Sequence, residues 1–195
     1  MRPEAGEGTD GLGSVAEVLD LYDRFGGHRY GEHVTQLDHA LQCAALARRR
    51  GLPDDLVAAS LLHDIGHLVD LRDGTTYEAG LGADRHHELR GATALAGLFP
   101  DGVTGPIGLH VVAKRWRCTV DPSYGAGLSP ASMASLVLQG GRLPDRERAV
   151  FEADPAFDAA VALRDIDDAG KVERLVIPGL ADYEPLLAGL ARTTG

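Results

Sequence analysis

Cysteine is nearly absent from this 195-residue chain: Cys43 and Cys118 are the only two, and neither lies in a CxxC or other regular spacing. A miniature disulfide scaffold is excluded, and a reducing, cytoplasmic setting is expected, with both thiols packed as small apolar groups. Aromatic residues are scarce too, with 1 Trp, 5 Tyr and 4 Phe, while Ala and Leu dominate the apolar positions. That balance favours close-packed helices over a β sandwich. Positive charge is in deficit, 19 Lys and Arg against 29 Asp and Glu, for a formal net charge of −10. A surface of that sign repels phosphate backbones and anionic lipid, so neither nucleic acid nor a membrane surface is an expected partner. Any anionic ligand must meet a local cationic pocket. No run approaches the ~20 apolar residues of a membrane span. The opening MRPEAGEGTDGLG lacks the basic-then-apolar order of a signal peptide, so a soluble, unexported protein is expected. Neither GxGxxG nor GxxxxGK[ST] occurs, and no internal repeat divides the chain.

What is present reads as helix. Residues 1–13 are rich in Gly and acid and are expected to be disordered, and residues 14–195 to form one helical domain. Ser14 and Glu17 have the spacing of a capping box. Thr35 can cap a helix whose apolar positions Leu37, Leu41, Ala44 and Ala45 recur at helical spacing before Gly51 stops it. Pro53, with Asp54 and Asp55, starts a third helix, expected to run unbroken through LVAASLLHDIGHL. The stretch Leu71–Asp84 reads as a loop, and a helix follows from near His86. Thr104 and Pro106 are expected to open a helix carrying His110 and Lys114; Ser129 with Pro130 opens another, and Pro155 opens AFDAAVALRDIDDAG.

The histidines are the chemical signal. All eight lie between His28 and His110, and the 85 residues after His110 contain none. His39, His63, Asp64, His87, His110 and a late Asp167 supply imidazoles and carboxylates, nearly all on expected helices. One histidine on an apolar helix face is usually a satisfied core residue. The pair His63-Asp64 inside ASLLHDIGHLV is different, because burying both in so apolar a run is costly unless they are paired or bind metal. His67 follows His63 by one turn.

Through YGEHVTQLDHAL, ASLLHDIGHL, HHELRGA, LHVVAKRW, LSPAS and ALRDIDDAGKV, the chain resembles the HD-domain proteins, named for the pair seen here as His63-Asp64. Within them it is similar to the mixed-valence di-iron oxygenases, the branch of myo-inositol oxygenase and the phosphonate-cleaving enzymes, and most to the latter. The resemblance implies an all-α fold, a single HD-domain helical bundle. It implies two iron ions (Fe(II)/Fe(III)) with dioxygen as co-substrate, held by His39, His63, Asp64, His87, His110 and Asp167, with Asp64 bridging. His86 remains an alternative to His87, and Asp168 to Asp167.

The resemblance also implies the reaction: oxidative cleavage of the C–P bond of a 1-hydroxyalkylphosphonate to phosphate and a carboxylic acid, glycine when the substrate is 2-amino-1-hydroxyethylphosphonate. Asp64, His67 and Lys114 then stand as catalytic groups. Lys114 follows His110 by four residues and Arg164 precedes Asp167 by three, so both cations fall beside expected ligands. With His67 and Ser132 they match positions that hold the phosphonate, although Ser129 and Ser135 lie close to Ser132. Tyr30 and Glu32 resemble an aromatic and acidic pair that closes over the site and senses a substrate ammonium, and Gln36 a position near the substrate hydroxyl. The small-molecule phosphonate is the only partner implied. The rival reading is a metal-dependent phosphohydrolase, in which the same ligands would activate water against a phosphate ester or nucleotide.

Overall fold

In a computed structural model of the chain, residues 11–29, 34–75, 85–172 and 175–192 are described. Helices account for nearly all regular structure there, and no strand occurs among the described residues, as expected of an all-α protein.

The first helix, α1 (Val15–Phe25), begins at Ser14, whose hydroxyl accepts the Glu17 N–H, while the Glu17 carboxylate accepts the Gly13 N–H. The two contacts satisfy amides that a helix start leaves without intrahelical partners. Of residues 1–13, expected to be disordered, 1–10 lie outside the described residues; in the rest, Leu12 is buried in the core and donates its N–H to Ala94 O at 2.7 Å. Burial of the Leu12 side chain ties this stretch to the core. The next helix, α2 (Gln36–Arg49), is capped by Thr35, which accepts the Asp38 N–H, and is followed by Gly51 at φ +69°.

The helix after Pro53 is not continuous. It divides into α3 (Asp54–Leu62) and α4 (Ile65–Arg72), with His63 and Asp64 at the joint and Asp64 at φ −99°, ψ 7°. That sparsely populated backbone region is common at functional residues. Carbonyls released by the break find partners: Ser60 O faces His63 Nδ1 at 3.0 Å, and Leu61 O accepts the buried Tyr22 hydroxyl at 2.6 Å. The expected loop from Leu71 begins later, since Leu71 and Arg72 still belong to α4. Residues 76–84 lie outside the described residues.

Helix α5 (His87–Leu95) follows His86 in the left-handed conformation, φ +52°. The long helix α6 (Asp101–Val120) starts at Pro100 and Asp101, five residues before Pro106, which lies inside it. Pro106 is therefore not the first helical residue; Pro100, extended at ψ 166° and followed by an acid facing the helix N-terminus, is the true opening. Short helices α7 (Pro122–Ala126), α8 (Pro130–Leu138) and α9 (Asp145–Glu152) lead to α10 (Phe157–Ala169). Asp154 Oδ1 accepts the Ala156 N–H just before α10. A 3₁₀ turn (Leu180–Tyr183) and α11 (Glu184–Leu190) complete the described chain.

Helix α6 is the axis of the molecule, packed against α3, α5 and α10. Leu61, Leu62, Ile65, Leu68, Leu95, Phe99, Ile107, Leu163 and Ile166 form the dry interior, with Tyr183 and Leu187 closing its base. Small residues set the close approaches. A Cβ on Gly66 would collide with His87 O, and one on Gly91 would stand 3.1 Å from Gly66 N, so α4 and α5 cross backbone to backbone.

Candidate metal centre

Six side chains converge where α2, the α3–α4 joint, α5, α6 and α10 meet. On one side, His39 Nε2 lies 3.2 Å from His63 Nε2 and 3.1 Å from Asp167 Oδ1. Asp64 Oδ2 is 3.8 Å from the former nitrogen and 3.5 Å from the latter. On the other side, His87 Nε2 and His110 Nε2 are 3.1 Å apart, with Asp64 Oδ1 at 3.3 and 3.7 Å from them. Asp64 therefore turns one oxygen to each pair of imidazoles.

The local fold explains the aim of three of the four rings. His39 Nδ1 lies 2.9 Å from Gly170 O, His63 Nδ1 3.0 Å from Ser60 O, and His110 Nδ1 2.8 Å from Ile107 O. A carbonyl can only accept, so these contacts put the proton on Nδ1 and turn the Nε2 lone pair inward. Gly170 reaches His39 because it lacks a side chain: a Cβ there would stand 2.5 Å from Cys43 Sγ. Cys43, expected only to pack, is fully buried with its Sγ 3.8 Å from His39 Nδ1. Cys118 is buried in the interior.

Lone pairs directed at each other across 3.1–3.2 Å repel unless a cation lies between them. Donors bound at ~2.1 Å around one ion stand about 3.0–3.4 Å apart, close to the spacings of both groups. The residues thus suit a metal ion, and His39–Cys43–His63 and Asp64–His67–His87 are each clustered tightly enough to hold one.

The electrostatics make the same demand. Burial works against a charged His63, yet the Asp64 and Asp167 carboxylates push it up to about 9. His39 is likewise raised against its burial, by Cys43 and Asp167. Asp64, despite its own burial, is held well below the usual carboxylate range by His63 and His87. Burial drives His110 well below its usual value and His87 adds to this, while burial followed by His87 takes His67 down to about 3. His67 stacks on His87, ring centroids 4.1 Å apart.

The open alternatives separate in space. His87 is buried in the cluster, whereas the His86 side chain is 64% exposed. Asp167 faces His39, while Asp168 accepts the Tyr124 hydroxyl at 2.5 Å and pairs with Arg164 Nη2. Arg164 is buried and holds Asp167 through Nη1 at 2.6 Å, so its fork spans two carboxylates of its own helix. Both terminal nitrogens of the guanidinium thus face carboxylates of α10. Nε of Arg164 is buried with no partner.

Beside the cluster lies a cationic wall. Lys114, almost fully buried on α6, donates to Ser135 Oγ at 2.9 Å, and burial followed by Arg164 lowers it to about 8. Ser132 is buried on α8, linked to Ser129 Oγ at 3.1 Å and to Lys171 Nζ at 3.3 Å. Lys171, which also lies 3.7 Å from Asp167 Oδ1, was not among the expected residues, although its place four residues after Asp167 was a usable signal. Gln36 is buried at the start of α2, one turn before His39. Tyr30 and Glu32 lie outside the described residues.

These features define an all-α protein with a buried His/Asp site able to hold metal beside a cationic wall. The chain belongs to the family of phosphonate dioxygenases. It is 45% identical over 170 residues to hydroxymethylphosphonate dioxygenase of Gimesia maris, covering 87% of this chain and 84% of that one. It is 37% identical over 182 residues to [1-hydroxy-2-(trimethylamino)ethyl]phosphonate dioxygenase (glycine-betaine-forming) of Leisingera caerulea, covering 90% and 89%. No family model matches the chain.

Proposed function

We propose that the protein is an iron-dependent dioxygenase that cleaves the C–P bond of a small 1-hydroxyalkylphosphonate to inorganic phosphate and a carboxylate. The observation that carries this reading is the juxtaposition of two donor groups sharing Asp64 with the wall formed by Lys114, Ser132 and Lys171. His39, His63, Asp64 and Asp167 would hold one iron, and Asp64, His87 and His110 the other. When bound, the irons supply the activation of dioxygen and the one-electron chemistry needed to break a C–H bond.

The reaction balances without an outside reductant. A hydroxyalkylphosphonate dianion and one dioxygen give a carboxylate, hydrogen phosphate and one proton, so the substrate carbon supplies all the electrons that dioxygen takes up. The product follows the C2 group: formate if there is none, glycine for 2-amino-1-hydroxyethylphosphonate.

The chain's own residues bind and orient. Lys114, Lys171 and Ser132 neutralise and grip the phosphonate oxygens, fixing which carbon faces the metal donors. His67, neutral when buried against His87, offers a hydrogen bond without adding charge. Arg164 keeps Asp167 deprotonated and aimed inward, and its buried Nε points to a further acceptor. Gln36 approaches the substrate hydroxyl from α2. The apolar interior beneath the site excludes water from the reacting carbon.

The test is anaerobic reconstitution with Fe(II), followed by hydroxymethylphosphonate or 2-amino-1-hydroxyethylphosphonate with and without dioxygen. Phosphate release that requires both iron and dioxygen, with isotopic oxygen from dioxygen in the carboxylate, is expected. Equal phosphate release from phosphomonoesters or nucleotides with Mn(II) under argon would instead make the protein a phosphohydrolase.

A further inference from the structure

Of the four imidazoles that turn Nε2 inward, three fix the opposite nitrogen on a backbone carbonyl. His87 is the exception. Its Nδ1 faces Glu88 Oε2 at 3.6 Å. Glu88 is a second anomaly: it is 4% exposed, and Oε2 is buried with no hydrogen-bond partner. A buried carboxylate oxygen left without a donor is costly, so a native structure that keeps one invites an explanation. The other oxygen, Oε1, lies 3.6 Å from Nδ1 of His86, the only non-glycine residue at positive φ among those described. The strained His86 backbone and the start of α5 thus set a carboxylate behind a candidate ligand.

We infer that Glu88 is a positioning residue for metal binding: its Oε2 takes the Nδ1–H of His87 and fixes that ring with Nε2 directed at the Asp64–His110 side of the cluster. The inference rests on the proposed two-metal reading. The gap from 3.6 Å to hydrogen-bond length is closed by a small rotation of the Glu88 side chain, since the His87 ring is already held by its stack on His67. A carboxylate behind the imidazole makes it a stronger donor to a cation than a carbonyl does. The two sides of the cluster would therefore differ in character although each presents two imidazoles. His39 and His63 are backed by carbonyls and joined by Asp167, whereas among the described residues no second carboxylate stands in front of His87 and His110, and Glu88 stands behind His87.

The experiment titrates apo protein with Fe(II) under argon and, in parallel, with Zn(II), reading the stoichiometry and affinity of each step and the melting temperature of the apo and loaded forms. Glu88→Gln keeps an oxygen of weaker accepting power, and Glu88→Leu removes it. The parent should take up two ions per chain. Both variants should bind the first ion as the parent does and the second about 10–100-fold more weakly, with Leu the worse. A purely structural Glu88 would lower the apo melting temperature and leave the second affinity unchanged. That outcome in both variants, or in Gln alone should Leu fail to fold, overturns the inference. A parent chain that binds only one ion, or none, overturns the two-metal reading beneath it.

Discussion

Gly66 packs so tightly against His87 that any side chain there would collide with the His87 carbonyl oxygen. Position 66 is therefore fixed by the approach of α4 to α5, which sets His87 opposite Asp64. Gly66→Ala should lower stability by ~1–3 kcal/mol through overpacking and push α5 outward. Denaturant titration reads the first effect. Metal titration should show the second ion weakened more than the first, and equal weakening would mean that the crossing does not position His87.

Asp167 and Asp168 are neighbours with opposite tasks. Asp167→Ala should lower occupancy of one metal site, because its Oδ1 stands 3.1 Å from His39 Nε2. Asp168→Ala should leave metal content intact and loosen Arg164, which would raise KM. Elemental analysis of both reconstituted variants separates them, and metal loss in Asp168→Ala would reverse the assignment.

Replacing either lysine of the cationic wall should weaken phosphonate binding without releasing metal. Lys114→Met and Lys171→Met should each cost ~1.5–3 kcal/mol, about 10–150-fold in KM. Unchanged KM in both, with full metal occupancy, would mean that the anion sits elsewhere.

The pH dependence follows from Lys114. Its value in the folded protein, about 8, lies below the ordinary 10.5, so the ammonium that attracts an anion is lost as pH rises through about 8. Phosphonate affinity should therefore fall across that range, and Lys114→Met should remove this limb from the KM profile. The sign for stability is opposite: the folded state gives up this proton more readily than the unfolded chain, so the penalty of a buried ammonium is full below about 8 and fades as pH climbs toward 10.5. A parent KM flat from pH 7 to 9 would argue against a charged Lys114 as an anion ligand.

Much of this was legible in the sequence because polar chemistry in apolar surroundings is conspicuous. His63-Asp64 inside ASLLHDIGHLV stood out because burial without partners is expensive, and Ser14, Thr35 and Ser129 announced helix starts through the hydrogen bonds they can make. The break at His63-Asp64 was not legible. No glycine or proline marks it, and the carbonyls it frees are satisfied by Tyr22 and His63 from the folded environment. The start of α6 was misplaced because Pro106 looks like a first residue, whereas tertiary packing carries the helix through it. Lys171 and Glu88 were overlooked because charged residues on helices are usually solvated, and only three-dimensional placement separates these two from the rest.

Asp167 also has a temporal consequence. A chain made from its N-terminus delivers His39, His63, Asp64, His87 and His110 first, and 56 further residues emerge before Asp167. Until then the two halves of Asp64 face unequal company: the His87–His110 side can be complete while the His39–His63 side still lacks its carboxylate. In the folded protein it is the packing of α10 on α6 that sets Asp167 and Gly170 beside His39. A ribosome-bound fragment ending at about residue 150 should accordingly have its Asp64–His87–His110 groups in sequence but no means of holding His39 in place, so the order of synthesis is also an order of site maturation.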